Sequence, residues 1–201
     1  MSRDERIEYP DLAGYARANA DDVYRMLTGA DPNDLREMVR IVGGNRAAAA
    51  LTGRSVRTVE RWVTKTGTQR ISRPRADALQ ALRTQAQQIR VSQAGRRQIL
   101  TGRREQNLRR QGMRLRGRAY AGPLIADVEY RRRRYFDHPV PGRVMDRTID
   151  AYLAGGEEDA YSAFNAAFGQ EYQLTGFDPE EGGWIIEDMS GLEFSVRRGE
   201  D

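Results

Sequence analysis

The chain has 201 residues and no cysteine, which excludes disulfide frameworks, thiolate zinc sites and cysteine nucleophiles. Residues 1–154 contain 31 basic and 17 acidic residues, a net charge of +14, whereas residues 155–201 contain 2 basic and 12 acidic residues, a net charge of −10. Such a basic region favours a polyanionic partner, because each neutralised phosphate releases counterions.

Several other classes of protein are excluded by what the sequence lacks. No apolar run approaches the length of a membrane span, and residues 1–10 are too charged for a signal peptide. His138 is the only histidine, and neither a Walker loop nor a dinucleotide fingerprint occurs, so we expect no metal, no cofactor and no catalytic residues. The sequence therefore predicts a cytoplasmic, nucleoid- or plasmid-associated protein that is not itself an enzyme.

The N-terminal part of the chain predicts helices. Residues 1–30 predict a leader followed by one acidic amphipathic helix, whose charge is wrong for DNA contact and suits packing or a partner surface. After a turn at residues 31–33, apolar residues at helical spacing predict a helix that ends at Gly43. A further helix begins near Pro74, so residues 31–90 form a predicted four-helix domain.

The stretch from Asn45 to Lys65 is typical of a helix-turn-helix motif. A helix of small residues is followed by a turn at Gly53 and by a second helix rich in arginine. Gly53 can take a positive φ without steric cost, and Ala49 is small where the two helices are expected to cross. In this motif the second helix lies in the DNA major groove.

The second helix of the motif has an apolar side and a polar side. The residues predicted to be buried are Val56, Val59, Trp62 and Val63. The predicted DNA-binding residues of the motif are Arg54, Ser55, Arg57, Thr58, Arg61 and Lys65. Of these, Arg57, Thr58 and Arg61 are expected to reach base edges, Arg54 and Lys65 to hold phosphates, and Ser55 to cap the helix. The alternative is an ordinary helical hairpin with solvated arginines.

Residues 91–120 are rich in arginine and contain a single acidic residue, Glu105. Four glycines interrupt any long helix, each at a cost of about 1 kcal/mol. Two interpretations remain open: a basic helical arm that follows the DNA backbone and becomes ordered on binding, or a solvated linker without contacts. The predicted DNA-binding residues of the arm are Arg96, Arg97, Arg103, Arg104, Arg109 and Arg110.

Residues 121–201 predict a small α+β domain with an aromatic core. Residues 124–130 predict a strand, and residues 139–142 predict a turn. Two helices follow, and then two short strands at residues 184–186 and 192–196. The expected fold class is therefore α+β, with an N-terminal helix-turn-helix domain, an arginine-rich linking segment and a small C-terminal α+β domain.

Two segments resemble the DNA-binding half of the telomere terminal proteins of linear actinobacterial chromosomes and plasmids: Ser-Val-Arg-Thr-Val-Glu-Arg-Trp at residues 55–62 and the helix start at residues 72–74. The similarity covers roughly residues 40–196, through the arginine and aromatic residues at 131–136 and the closing acidic segment at 191–194. The order of these later parts is more diagnostic than the helix-turn-helix motif, which many regulators share.

The resemblance implies protein-primed end replication. In that reaction a hydroxyl group of the terminal protein accepts the first deoxynucleotide and stays attached to the 5′ end. Where the family has a threonine, this sequence has Asp137, which cannot be the stable priming hydroxyl. Tyr135 is the nearest candidate acceptor, with Tyr130 and Thr148 also nearby, and a buried aromatic is the alternative role of Tyr135. The implied partners are duplex and single-stranded telomeric DNA, a DNA polymerase and a telomere-associated protein.

A second class of function uses the same helix-turn-helix motif. A transcription, plasmid or phage control regulator would use its C-terminal domain for dimerisation or sensing. A homodimer of this kind predicts a palindromic DNA site with half-sites about one DNA turn apart. A terminal protein would instead prefer the ends of a replicon.

Overall fold

The computed structural model describes residues 12–66, 69–70, 72–123, 131–172 and 184–196. The helices are α1 (Leu12–Ala18), α2 (Ala20–Thr28), α3 (Leu35–Ile41), α4 (Asn45–Thr52), α5 (Val56–Val63), α6 (Ala76–Val91), α7 (Gln93–Ile99), α8 (Arg103–Gln111), α9 (Gly142–Gly155) and α10 (Glu157–Tyr172). The strands are β1 (Lys65–Thr66), β2 (Gln69–Arg70), β3 (Met113–Pro123), β4 (Arg132–Val140), β5 (Trp184–Asp188) and β6 (Leu192–Val196). The expected α+β class is confirmed, with a mainly helical N-terminal region and a C-terminal antiparallel sheet.

A first hydrophobic cluster joins helices from α2 to α7. Ala48 of α4, Val59 of α5 and Leu82 of α6 are buried in it. Helix α3 begins where the Asp34 carboxylate accepts a hydrogen bond from the Arg36 backbone N–H at 2.7 Å, as an N-cap residue does. Between α5 and α6 in the chain, the short strands β1 and β2 pair antiparallel.

Strand β3 is central in the second unit of the fold, a four-stranded antiparallel sheet. Strand β4 pairs with one edge of β3, and β5 and β6 pair with successive parts of the other edge. A Cβ on Gly117, which has φ of 131°, would approach the Gly191 carbonyl oxygen to 2.2 Å, so glycine lets the turn between β5 and β6 close against β3. The outward-facing residues of β3 are Arg114, Arg116, Arg118 and Tyr120.

A larger hydrophobic cluster fills the space between this sheet and helices α8, α9 and α10. The rings of Phe164 and Phe168 stack at 5.4 Å between centroids. The hydroxyl of Tyr161 donates a hydrogen bond to the Ile186 carbonyl oxygen at 2.6 Å, which attaches α10 to β5. Among the described residues, these helices cover one face of the sheet, and the side chains of β3 on the other face are exposed.

The N-terminal helices belong to this larger cluster. Val23 and Met26 of α2 are fully buried in it. Asn19, between α1 and α2, donates to the Glu187 carbonyl oxygen and accepts from the Met189 backbone N–H, both at 2.7 Å. Instead of the single acidic helix predicted within residues 1–30, the described residues 12–30 form two helices, and both pack against the C-terminal part of the chain.

Residues 91–120 differ from the prediction of an arm or linker. They form α7, α8 and most of β3, because Leu100, Leu108 and Leu115 are buried in the larger cluster. Gly102 and Gly112, both at positive φ, separate these elements. The turn predicted at residues 139–142 is instead the junction of β4 and α9, and the strand predicted at residues 124–130 lies outside the described residues.

Arg90, in the last turn of α6, connects the two clusters. Its side chain is 9% exposed and donates hydrogen bonds from Nη2 to Asp21 at 2.9 Å and from Nε to Glu157 at 3.0 Å. The guanidinium carbon also lies 4.7 Å from the ring centroid of Tyr24. Burial lowers the pKa of Arg90, but the carboxylates of Asp21 and Glu157 raise it by more than burial lowers it. The net shift is therefore upward. Helices α2, α6 and α10 therefore meet at one ion-pair network.

A second buried polar group, Glu37, attaches α3 to α2. Its carboxylate accepts a hydrogen bond from the Tyr24 hydroxyl, and from Arg40 Nη2 at 2.6 Å and Nε at 2.7 Å. Burial raises the pKa of Glu37, but the hydrogen bonds from Arg40 and Tyr24 have the larger combined effect, so the pKa lies below its ordinary value. Glu37 is thus held as a carboxylate in the folded protein.

We expect Arg90→Ala to lower the free energy of unfolding by about 3–5 kcal/mol, because it leaves the carboxylate of Glu157 buried without its partner. Urea denaturation monitored by circular dichroism measures the change. Arg97→Ala removes an exposed arginine from the neighbouring helix α7 and is the control, with an expected effect within about 0.5 kcal/mol. Equal stability of the two variants would contradict a structural role for Arg90.

We expect the free energy of unfolding of Glu37→Gln to fall less steeply with decreasing pH than that of the wild type. As the pH falls, the unfolded chain takes up the proton of Glu37 before the folded protein does, because the folded pKa is lowered. The stabilisation from Glu37 is therefore complete above the ordinary glutamate pKa, about 4.3, and is lost as the pH falls through the lower folded value. Urea titrations across this pH range measure it. Glu158→Gln, an exposed position on α10, is the control, and identical slopes for both variants would refute the assignment.

Candidate nucleic-acid interface

Helices α4 and α5 are joined by a tight turn. Gly53 ends α4 in the left-handed region, with φ of 64°, where glycine is favoured. The backbone N–H of Arg54 donates to the Ala49 carbonyl oxygen at 3.0 Å. The hydroxyl of Ser55 then accepts from the Thr58 backbone N–H at 3.2 Å and caps α5. Ser55 thus has the local role expected of it, at the start of an exposed helix.

Helix α5 buries one side and exposes the other. Val59 and Trp62 are buried in the smaller cluster. Arg57 and Arg61 are exposed, and Thr58 is half-buried between them. Since Arg57 and Arg61 are four residues apart, they lie on the same face, one helical turn from each other. This face presents two guanidinium groups to solvent, and the Thr58 hydroxyl between them is hydrogen-bonded to the Ser55 hydroxyl at 2.9 Å.

The two remaining cations of the predicted motif lie at its ends. Arg54 is exposed at the turn, and its Nη2 atom lies 3.9 Å from Oδ2 of Asp77, at the start of α6. Such an exposed pair is worth little to stability, so the guanidinium group can exchange partners. The side chain of Lys65 lies outside the described part of the chain.

Arg96 and Arg104, two of the arginines predicted to bind DNA from residues 91–120, are instead directed into the protein. Arg96 is buried and donates from Nη2 to the Ala154 carbonyl oxygen at 2.7 Å, at the end of α9. Arg104 donates from Nε to the Leu27 carbonyl oxygen at 2.8 Å, at the end of α2, and burial lowers its pKa. The last carbonyl groups of a helix have no partner within it, so guanidinium groups satisfy them here. We therefore correct the DNA-binding role predicted for Arg96 and Arg104 and assign both residues a structural role.

Arg109 also has intramolecular partners. It contacts Glu105 at 3.1 Å, Asp146 at 3.1 Å and Asp150 at 2.8 Å. Burial lowers the pKa of Arg109, but these three carboxylates raise it by more than burial lowers it. The net shift is therefore upward. Arg109 therefore joins α8 to α9, and we assign it the same structural role.

The other three arginines of this segment are on the surface. Arg97 on α7 and Arg103 on α8 are exposed. Arg110 is exposed as well, although it takes part in a contact within the protein. Helices α7 and α8 pack mainly against α2, α6, α9 and β6, so the structure does not bring these residues together with α5 as one continuous arm.

Tyr135, the candidate acceptor, lies on the outward face of β4. Its side chain is 58% exposed, so the alternative role of a buried aromatic is wrong. Arg116 Nε donates to its hydroxyl oxygen at 3.3 Å. Asp137 is two residues further along and accepts from Arg114 Nε at 2.6 Å, a hydrogen bond that holds the pKa of Asp137 below its usual range.

Sequence reasoning misses the outward arginines of β3 because they fall within the segment interpreted as an arm. The signal that identifies them is the alternation Met113, Arg114, Leu115, Arg116, which has the period of a half-buried strand. The glycines on both sides of that run obscure it. Read with the strand period, the same residues predict one buried and one basic face.

The chemistry available at these surfaces is that of guanidinium, hydroxyl and aromatic groups. Within the described residues, no group of three or more His, Asp or Glu side chains is placed to hold a metal ion. None of the described helices has the length and apolar character that a membrane crossing requires. Guanidinium groups form paired hydrogen bonds with phosphates and with guanine edges. No family model, curated protein or solved structure matches the chain.

Proposed function

We propose that the protein binds duplex DNA through the outward side of α5 and acts in replication of the ends of a linear replicon. The observation that carries the first part is the arrangement of α5 after a tight turn. Arg57 and Arg61 are exposed one turn apart while Val59 and Trp62 are buried. A short helix with this division fits the major groove, where its outward side chains meet base edges.

The contacts divide into two kinds. Arg57, Thr58 and Arg61 on the outward side of α5 contact base edges, and Arg54 at the turn contacts a phosphate. The N-terminal end of α5 is the positive end of its dipole, which also favours a phosphate, although the Thr58 backbone N–H is already bonded to Ser55. In this division, the base contacts of α5 provide sequence specificity, and the phosphate contacts at its N-terminal end orient the protein on the DNA.

The end-replication role places the nucleotide acceptor on Tyr135. Its hydroxyl oxygen is exposed, and Arg116 lies within hydrogen-bond distance of it. In the priming step this oxygen attacks the α-phosphorus of a deoxynucleoside triphosphate. A tyrosyl phosphodiester bond forms, pyrophosphate leaves with the bridging oxygen, and the phenolic proton passes to solvent. A partner polymerase supplies the metal ions and the nucleotide.

We expect Arg57→Ala to weaken binding to a cognate duplex by about 1–3 kcal/mol and to relax specificity at one base pair. The duplex is selected from a randomised pool with the wild-type protein, and fluorescence anisotropy at fixed salt measures the affinity. Arg147→Ala removes an exposed arginine from α9 and serves as the control. Equal affinity of Arg57→Ala and wild type would refute the base-contact assignment. A palindromic selected site would favour the regulator interpretation over end binding.

We expect Tyr135→Phe to abolish priming without changing duplex affinity. The protein is incubated with a polymerase of the terminal-protein system, a telomere template and deoxynucleotides, and intact mass spectrometry detects a covalent nucleotide. Tyr120→Phe removes the other exposed tyrosine hydroxyl of the sheet and is the matched control. An adduct that persists in Tyr135→Phe assigns the acceptor elsewhere. The absence of any adduct on wild-type protein refutes priming and leaves duplex binding to be judged separately.

A further inference from the structure

The open face of the sheet carries a surface that is separate from α5. Two cross-strand pairs lie side by side on β3 and β4: Arg118 opposite Tyr135, and Tyr120 opposite Arg133. Residues directly opposite each other share a face of the sheet, and all four side chains are exposed. We call these four residues the tyrosine face.

The two tyrosine rings are partly exposed to solvent. Among the described residues, Tyr120 is 40% exposed and Tyr135 is 58% exposed, and they are the aromatic residues among the exposed large hydrophobic side chains. They are diagonal neighbours on adjacent strands, a relation that separates side chains by about 7–8 Å. Two rings at that separation can each receive a different planar group.

Two acidic residues near the rings lie on β5 and β6, and the basic residues lie on β3 and β4. Glu193 lies opposite Arg116, and Asp188 lies opposite Tyr120, so both acids are on the edge of β3 that faces β5 and β6. The cations of the tyrosine face lie on β3 itself and on β4, and Arg133 on β4 also interacts with Asp188 across Tyr120. Asp137 on β4 is occupied by Arg114 at 2.6 Å, beyond the end of the tyrosine face. A polyanion is therefore directed along β3 and β4, away from the other edge.

We propose that the tyrosine face binds single-stranded DNA, with bases stacked on Tyr120 and Tyr135 and with phosphates held by Arg118 and Arg133. Unpaired bases present free faces to aromatic rings, whereas the bases of a duplex are already stacked on one another. Arginines beside the rings supply the charge that follows a phosphate backbone. Arg116 extends this row along β3 and hydrogen-bonds the Tyr135 hydroxyl, which orients that ring.

The site consists of sheet residues alone, and only the choice of DNA over RNA rests on the proposed function of α5. A protein partner, including a second copy of the chain, is the competing occupant. Aromatic residues and arginines are also common at protein interfaces. The two occupants differ in one measurable respect, because phosphate contacts make binding fall linearly with the logarithm of salt concentration.

The test uses the full chain and a labelled, mixed-sequence single strand of about 12 nucleotides, within the range of known single-strand site sizes. Tyr120→Ala and Tyr135→Ala should each weaken binding roughly 5- to 150-fold by anisotropy. Tyr120→Phe and Tyr135→Phe should bind as wild type, because they keep the rings. Val91→Ala removes an exposed apolar residue from α6 and is the control for general surface effects. Circular dichroism verifies that each variant is folded.

Charge and duplex measurements separate this site from α5. Arg118→Ala should reduce the salt slope by about 0.7, the value for one contact to a single strand. Tyr120→Ala should leave duplex affinity unchanged, and Arg57→Ala should leave single-strand affinity unchanged. Failure of duplex binding would therefore refute the function of α5 without touching the tyrosine face.

Three results would overturn the proposal. The first is unchanged single-strand affinity in both alanine variants. The second is tighter binding of RNA than of DNA of the same sequence, which assigns a different ligand. The third is a change from dimer to monomer in sedimentation for Tyr120→Ala without loss of single-strand affinity, which assigns the face to a second copy.

Discussion

The arrangement of the two hydrophobic clusters depends on the burial of one guanidinium group, that of Arg90. A buried charge costs several kcal/mol unless it is paired with good geometry. Its partners Asp21 and Glu157 are 69 and 67 positions away in the chain, so the pairing is satisfied only when α2, α6 and α10 are all in place. The ring of Tyr24 covers the same guanidinium and belongs to the smaller cluster. The network therefore makes formation of one cluster conditional on the other.

The Arg90 ion-pair network fixes the position of α5 relative to the sheet. Helix α5 packs against α3 and α4, both of these pack against α6, and α6 carries Arg90 at its far end. Arg96 continues the connection from α7 to the last carbonyl groups of α9. Under the two proposals, a duplex on α5 and a single strand on the tyrosine face would be held by one protein body. DNA in which the two forms adjoin, as at the end of a linear molecule, is the ligand that the two proposals share.

The elements around α5 could be predicted because their signals are local. The turn needs Gly53, the cap needs Ser55, and the buried side is given by the spacing of Val59 and Trp62. Residues 91–120 could not be predicted in this way, since arginine composition is the same whether a guanidinium meets water or a carbonyl oxygen. For Arg104 and Arg96 that choice is made by carbonyl groups 77 and 58 positions away. The exposure of Tyr135 likewise depends on which face of β4 the helices cover, which the local pattern does not specify.

The uneven charge of the chain is partly a feature of folding. Arg90, Arg131 and Arg143 lie in the basic part of the sequence and pair with Glu157, Glu187 and Glu171 from the acidic part. Each pair removes a positive charge that composition alone would assign to a polyanionic partner. Under the two proposals, contact with nucleic acid is defined by position and not by net charge: it involves the arginines on the outward side of α5 and those beside the exposed tyrosines. Asp188 and Glu193 lie along the edge of β3 that faces β5 and β6, so the proposed single strand would follow β3 and β4 on the other side.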